Sequence, residues 1–126
     1  EISLEKAKNL MLNKFHKFLP LEVLEDVFSR AKMLIREPKF IECIKGKEIY
    51  KEQPFKVKNE LKQMDLFCFN EREICVIDYK TTDKNVEENK KQVKEYKDAL
   101  AKFYEKHSII AVIFYALEGK ISYIEV

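Results

Sequence analysis

Hydrophobic periodicity changes three times along this chain, and the order of those changes constrains its fold more than any single motif. Up to Arg36, apolar residues recur every three or four positions, the repeat of an amphipathic helix. Ser3 is placed to cap a first helix carrying Leu4, Ala7, Leu10, Met11 and Phe15. Pro20 suits the first turn of a second helix carrying Leu21, Leu24, Val27, Phe28, Ala31, Leu34 and Ile35. Pro38 ends it, because a proline pushes the residue before it out of the helical region. From Glu48 the repeat shortens to two, and 48–58, 61–69 and 73–80 read as strands separated by polar breaks. Residues 86–107 return to a helical repeat, with Val93, Tyr96, Leu100 and Phe103 along one face. A strongly apolar strand over 108–117, a turn at Glu118-Gly119-Lys120 and a last strand over 121–126 complete the pattern. Helix, helix, three strands, helix, two strands predicts an α/β fold: a mixed sheet with helices on both faces, α-βββ-α-ββ, preceded by an extra N-terminal helix.

Ionised residues close the third strand. Ile74-Cys75-Val76-Ile77 reads as buried, yet Asp78-Tyr79-Lys80 follows at once, and a buried charge is costly unless something compensates it. Strand pairing brings a second acid near. A two-residue turn at Asn70-Glu71 would pair Phe69 with Arg72 and set Asp65 diagonally from Asp78; a four-residue turn would set the two directly opposite. Any even-numbered turn leaves both carboxylates on one face, and that is the expectation. Two such carboxylates repel, and a cation between them resolves the conflict. Oxygen ligands favour a hard ion, magnesium or manganese, over zinc or copper. Such an ion polarises a scissile phosphate and activates water. Lys80, two residues past Asp78 and so on the same face, is placed to orient or deprotonate that water or to stabilise developing charge. Glu52 completes the ligand shell or holds a water, and the Tyr79 carbonyl is a further expected ligand.

Taken together, Glu52-Gln53-Pro54-Phe55, Met64-Asp65-Leu66-Phe67, Ile77-Asp78-Tyr79-Lys80-Thr81 and Gln92-Val93-Lys94-Glu95-Tyr96 resemble, in order and spacing, the RecB-type branch of the PD-(D/E)XK nucleases. Within it they are most similar to the C-terminal nuclease domain of AddA/RecB helicase–nucleases. The resemblance covers roughly residues 20 to 126, including a final hairpin at Ile109–Tyr115 and Gly119-Lys120-Ile121. It implies a restriction-endonuclease-like sheet, a magnesium-dependent deoxyribonuclease, and processing of double-strand breaks for recombinational repair. It also implies roles. Asp65 and Asp78 would be metal ligands with Tyr79, Lys80 the catalytic lysine and Glu52 the assisting acid. Gln92 and Tyr96, with Thr81, would contact the DNA strand; Tyr96 also lies beside the apolar stripe, where core packing is an equal reading. The implied partners are DNA, the helicase domains of a longer parent chain, and a partner helicase–nuclease subunit. Rival readings are a stand-alone RecB-like or phage-type exonuclease, and a nuclease-fold module that binds DNA or a partner without cutting.

Two departures qualify the match. Gln63 stands where the family often has glycine. The family's first-motif histidine is expected before residue 1, which would leave residues 1–126 weak or inactive alone; His16 sits too near Glu52 to serve and is expected to be solvated or capping. His107 is expected to cap its helix at the C-terminal end.

Bulk properties fit these expectations without selecting among them. The chain has 126 residues, 46% hydrophobic and 37% charged, the profile of one globular domain. Its first residue is Glu1, which suggests an excised C-terminal piece of a longer helicase–nuclease. With 24 basic and 22 acidic residues the net charge of +2 neither demands nor excludes nucleic acid. No apolar run is long enough to span a bilayer and no signal peptide is seen, so a cytoplasmic location is expected. Cys43, Cys68 and Cys75 lack zinc spacing and read as reduced thiols filling the core.

Overall fold

The computed structural model describes residues 5, 6, 9, 20–57 and 60–126. Glu5, Lys6 and Asn9 are helical; the rest of the first expected helix, with Ser3 and His16, lies outside the described residues. Helix α1 spans Leu21–Arg36, with Pro20 at the N-cap, one position earlier than expected. Its last turn closes through the Glu37 N–H on the Leu34 carbonyl. The chain then re-enters a helix that sequence periodicity missed, α2 at Pro38–Ile44. Seven residues are too few to display a 3.6 repeat. Two local signals do account for α2: Pro38 in its first turn, and a Glu37 carboxylate that accepts the Lys39 N–H at 3.0 Å.

Strands β1 (Glu48–Val57), β2 (Glu60–Phe69) and β3 (Glu73–Lys80) follow, then helix α3 (Val86–Phe103) and strands β4 (Ser108–Leu117) and β5 (Lys120–Glu125). The five strands form one mixed sheet in the order β1-β2-β3-β4-β5. Only β3 and β4 run parallel; the other neighbours are antiparallel. The parallel pair requires a crossover, and α3 supplies it. Helix α3 stops at Phe103, short of residue 107, with the Tyr104 N–H closing on Leu100.

Alternation along β3 and β4 divides the core in two. Ile74, Val76, Ala111, Ile113 and Tyr115 meet Val93, Tyr96 and Leu100 of α3. On the opposite face, Cys75, Ile77, Val112 and Phe114 meet Phe40 and Cys43 of α2, with Leu34 of α1 alongside. Helices therefore cover both faces, and β3 and β4 run as near-continuous apolar strands, as doubly covered parallel strands do. All three cysteines are free and buried within the α2-side core. Burial pushes the Cys68 thiol up to about 11, whereas a hydrogen bond with Cys75 lowers Cys43. Among the described residues no helix is long and apolar enough to cross a membrane.

His107 is not a cap on its helix. Its ring nitrogen sits 3.1 Å from the Asn70 carbonyl in the β2–β3 turn, and its ring packs edge-on against Tyr104.

Candidate active site

The β2–β3 turn sets the register on which the site depends. Asn70 Oδ1 accepts the N–H groups of Arg72 and Glu73 at 2.9 and 2.8 Å, and the Asn70 N–H donates to the Glu73 carbonyl. This side-chain turn centres the reversal on Glu71-Arg72, one step later than Asn70-Glu71. Phe69 therefore pairs with Ile74 and Leu66 with Ile77. Continued by one rung, that register would set Asp65 opposite Asp78, as a longer even turn would, and not diagonally from it.

The ladder between β2 and β3 stops at Leu66–Ile77, while β3 continues beside β4 as far as Lys80. Beyond that rung the Asp65 carboxylate replaces the backbone: its Oδ2 accepts the Tyr79 N–H at 2.9 Å. Met64 joins the α3-side core together with Phe67. A spacing of three shows that strict alternation fails at this segment. Across from it, Glu52 has φ of 50°, left-handed backbone that a non-glycine residue adopts at a cost. The Gln63 amide compensates part of this by donating to the Glu52 carbonyl at 3.2 Å. Gln63 thus has a structural task where the family often carries glycine.

Asp78 is a buried charged residue, 5% exposed. Lys80 Nζ lies 3.2 Å from its Oδ2, within ion-pair reach but off the hydrogen-bonding direction, and Oδ2 accepts no hydrogen bond. Burial is the first cause that raises the Asp78 carboxyl to about 7, followed by a hydrogen bond and charge repulsion from Asp65; Lys80 opposes both. From the helix side, Tyr96 is 2% exposed and its phenol is raised to about 12, by burial first and then by Asp78 and Asp65. Asn89 of α3 donates to Tyr115 Oη at 3.1 Å, and Tyr115 is the β4 partner of Lys80. Helix α3 thereby fixes the floor beneath the lysine.

Asp65, Asp78 and Lys80 are brought together. Glu52 is not gathered into the same cluster: it is exposed on β1, and the described residues contain no group of three or more histidines, cysteines or acids poised to hold a metal. Its charge is nonetheless felt at Tyr79, whose phenol is raised by burial and then by Asp65, Glu52 and Asp78. Tyr79 itself is 46% exposed. Gln92 lines a recess of about 300 Å³ with Lys62, Glu88, Asn89, Lys91 and Glu95. Tyr96 lies in the core as one of its largest members. Thr81 is exposed just past Lys80. A recess of about 700 Å³ beside Gly46, Asn70 and Tyr104 belongs to the far end of β3 and has no part in this chemistry.

A hard divalent cation fits the donors present. Asp78 offers a buried oxygen without a hydrogen bond, Asp65 faces it, and both are oxygen ligands. Magnesium is commonly held by only one or two carboxylates, the remainder of its shell being water and phosphate.

One residue that sequence reasoning overlooked also converges here. Arg30 of α1 donates through Nη1 to the carbonyls of Thr81, at 3.2 Å, and Ala116. Its signal was legible in outline, since Arg30 falls three after Val27 and four before Leu34, a charge inside the apolar stripe. Compared with protein-family models and with curated proteins, the chain matches none.

Proposed function

We propose that this chain is a magnesium-dependent nuclease domain hydrolysing DNA phosphodiesters, with a restriction-endonuclease-like sheet. It would serve a helicase–nuclease that prepares double-strand breaks for recombinational repair. The observation that supports this best is a buried Asp78 whose Oδ2 lacks a hydrogen bond, with Lys80 Nζ 3.2 Å away and Asp65 near enough to raise its carboxyl. Two neighbouring carboxylates, one of them buried, are only partly compensated by a single ammonium, and a divalent cation would compensate the rest. When bound, magnesium (or manganese) neutralises the carboxylates, polarises the phosphate and favours attack by water.

The chain's own residues do the rest. Asp65 and Asp78 would hold the ion, with the Tyr79 carbonyl as a further oxygen donor. Lys80 keeps its ammonium beside Asp78, where it orients the attacking water and stabilises charge developing on the phosphoryl oxygens. Glu52, on the exposed rim, positions a water. Gln92, with Thr81 at the strand end, meets the sugar–phosphate backbone, and Tyr96 braces Asp78 from below. The partners in this reading are DNA, the helicase domains of a longer parent chain and a second helicase–nuclease subunit, in the cytoplasm.

The test pairs metal binding with cleavage. The longer parent chain that this reading implies is titrated with Mn2+, and linear DNA, duplex and single-stranded, is incubated with it in Mg2+. Asp78→Ala and Lys80→Ala serve as controls. Metal-dependent cleavage lost in both variants, with metal binding lost in Asp78→Ala, is the expected result. Equal product from the unaltered chain and from Asp78→Ala would end this reading.

A further inference from the structure

The geometry points to Arg30 as a positioning residue that sets where Asp78 and Lys80 stand, an inference that rests on the nuclease reading above. The parallel ladder of β3 and β4 ends with Lys80 beside Tyr115. Thr81 and Ala116 come next on the two strands, where one more rung would have formed. Arg30 takes that place: Nη1 donates to the carbonyls of both residues. Ala116 is 7% exposed, so its carbonyl needs a protein partner.

The guanidinium is itself aimed. Nε pairs with Asp26 Oδ2 at 2.9 Å one turn earlier on α1, and the Arg30 side chain is only 20% exposed. Asp26 therefore fixes the plane, and the plane fixes two strand ends. Three bonds from one rigid fork suit arginine; the single ammonium of lysine cannot hold the same directions. Asp78 and Lys80 lie three and one residues before the clamped Thr81 carbonyl. Slack at that carbonyl moves the lysine and the metal-binding carboxylate relative to each other. Arg30 touches neither substrate nor metal; it acts through the strand ends.

Catalytic groups must be held to within roughly 0.5 Å, and a misplacement of about 1 Å can cost on the order of a hundredfold in rate. The experiment compares Arg30→Lys, Asp26→Asn and Asp78→Ala in the whole chain. Readouts are kcat and KM on linear DNA, Mn2+ affinity, and amide hydrogen exchange at residues 78–81 and 115–117. Arg30→Lys is expected to lower kcat by about tenfold or more with little change in KM, to weaken Mn2+ several-fold, and to speed exchange at those two segments. Asp26→Asn, at a half-exposed residue, keeps the fold and is expected to lower kcat by about threefold. It serves as the decisive variant if Arg30→Lys does not fold.

Undiminished kcat and Mn2+ affinity in the folded variants, with Asp78→Ala inactive, would overturn the role of Arg30 while leaving the nuclease reading intact. An Asp78→Ala variant that cuts and binds Mn2+ normally would overturn the nuclease reading, and the role of Arg30 with it.

Discussion

The two halves of the sheet are held in different ways. Along β3 and β4, Ile74 to Ile77 and Ala111 to Ala116 are buried, pressed between α3 on one face and α1 and α2 on the other. The β1–β2 hairpin buries Met64, Phe67 and Cys68 of β2 but leaves Ile49, Tyr50 and Leu61 at 44, 43 and 73% exposure, with a left-handed glutamate at its middle. Asp78 and Lys80 belong to the first half, Glu52 and Asp65 to the second. Close packing fixes a side chain by many weak contacts at once; an open hairpin fixes it by a few hydrogen bonds. The site lies on the seam, so its geometry depends on a packed strand supplying one acid and a tethered strand supplying the other.

The largest effect that would sharpen this contrast is catalytic. Asp78→Ala is expected to reduce DNA cleavage by on the order of a thousandfold or more, and Lys80→Ala by about a hundredfold to a thousandfold, since each removes charge stabilisation at the reacting phosphate. Glu52→Gln, on the exposed side, is expected to cost about tenfold or less. Single-turnover rates check the order. If Glu52 proves as costly as Asp78, the two halves contribute alike and the contrast is wrong.

Next comes packing. Phe114 is fully buried and meets Phe40 edge-on at 5.7 Å, so Phe114→Ala is expected to cost about 3–5 kcal/mol. Tyr50→Ala, in the hairpin, is expected to cost about 1 kcal/mol, because its ring is stacked on Phe69 but half in water. Urea denaturation of the two variants separates these values; similar losses would show the hairpin to be part of the core.

The pH dependence of the metal-free chain is of intermediate size. Burial and Asp65 raise the Asp78 carboxyl from the ordinary 3.8 to about 7 in the folded chain, so the folded state binds the extra proton. The stability this group contributes is fully present below about pH 4 and is lost as pH rises through 7. Removing the charge with Asp78→Asn is expected to flatten that decline and to leave the metal-free protein more stable at pH 8 by a few kcal/mol. Thermal melts from pH 5 to pH 8 with chelator read this directly. A parent chain that gains stability across that interval, relative to Asp78→Asn, would contradict it.

The smallest effect tests the hairpin backbone. Glu52→Gly relieves the left-handed conformation and is expected to raise stability by about 0.5–1 kcal/mol despite the added freedom of the unfolded chain. A loss of stability on denaturant titration would mean that the Glu52 side chain contributes more than its backbone costs.

Much of the fold was legible because its strands declare themselves by composition. The bounds of β3 and β4 agree with the pattern, and helices on both faces follow from strands apolar throughout. What escaped the pattern was local or long-range. Helix α2 is shorter than two repeats, and Pro38, which stops one helix, also starts the next. The turn slid by one residue because the Asn70 side chain, by bonding Arg72 and Glu73, outweighs a simple count of polar positions. For the site, motif order singled out Asp65, Asp78 and Lys80, and the structure sets them side by side. It gave no warning that Glu52 would sit on distorted, exposed backbone, since a single φ leaves no mark on hydrophobic spacing. Arg30 showed only as a charge in an apolar stripe, and its task did not show: its partners are main-chain carbonyls, 51 and 86 residues away, and carbonyls carry no identity in a sequence.

In the proposed reading Asp65 does two jobs with one carboxylate, and this affects how its alleles should be interpreted. The oxygen that holds the Tyr79 N–H also keeps β2 tied to β3 where their ladder has ended. Replacing it by alanine removes a proposed ligand and unfastens the strand in the same stroke. A dead enzyme at codon 65 would therefore diagnose neither cause, whereas asparagine, which keeps an oxygen for Tyr79 while shedding the charge, separates the fastener from the ligand.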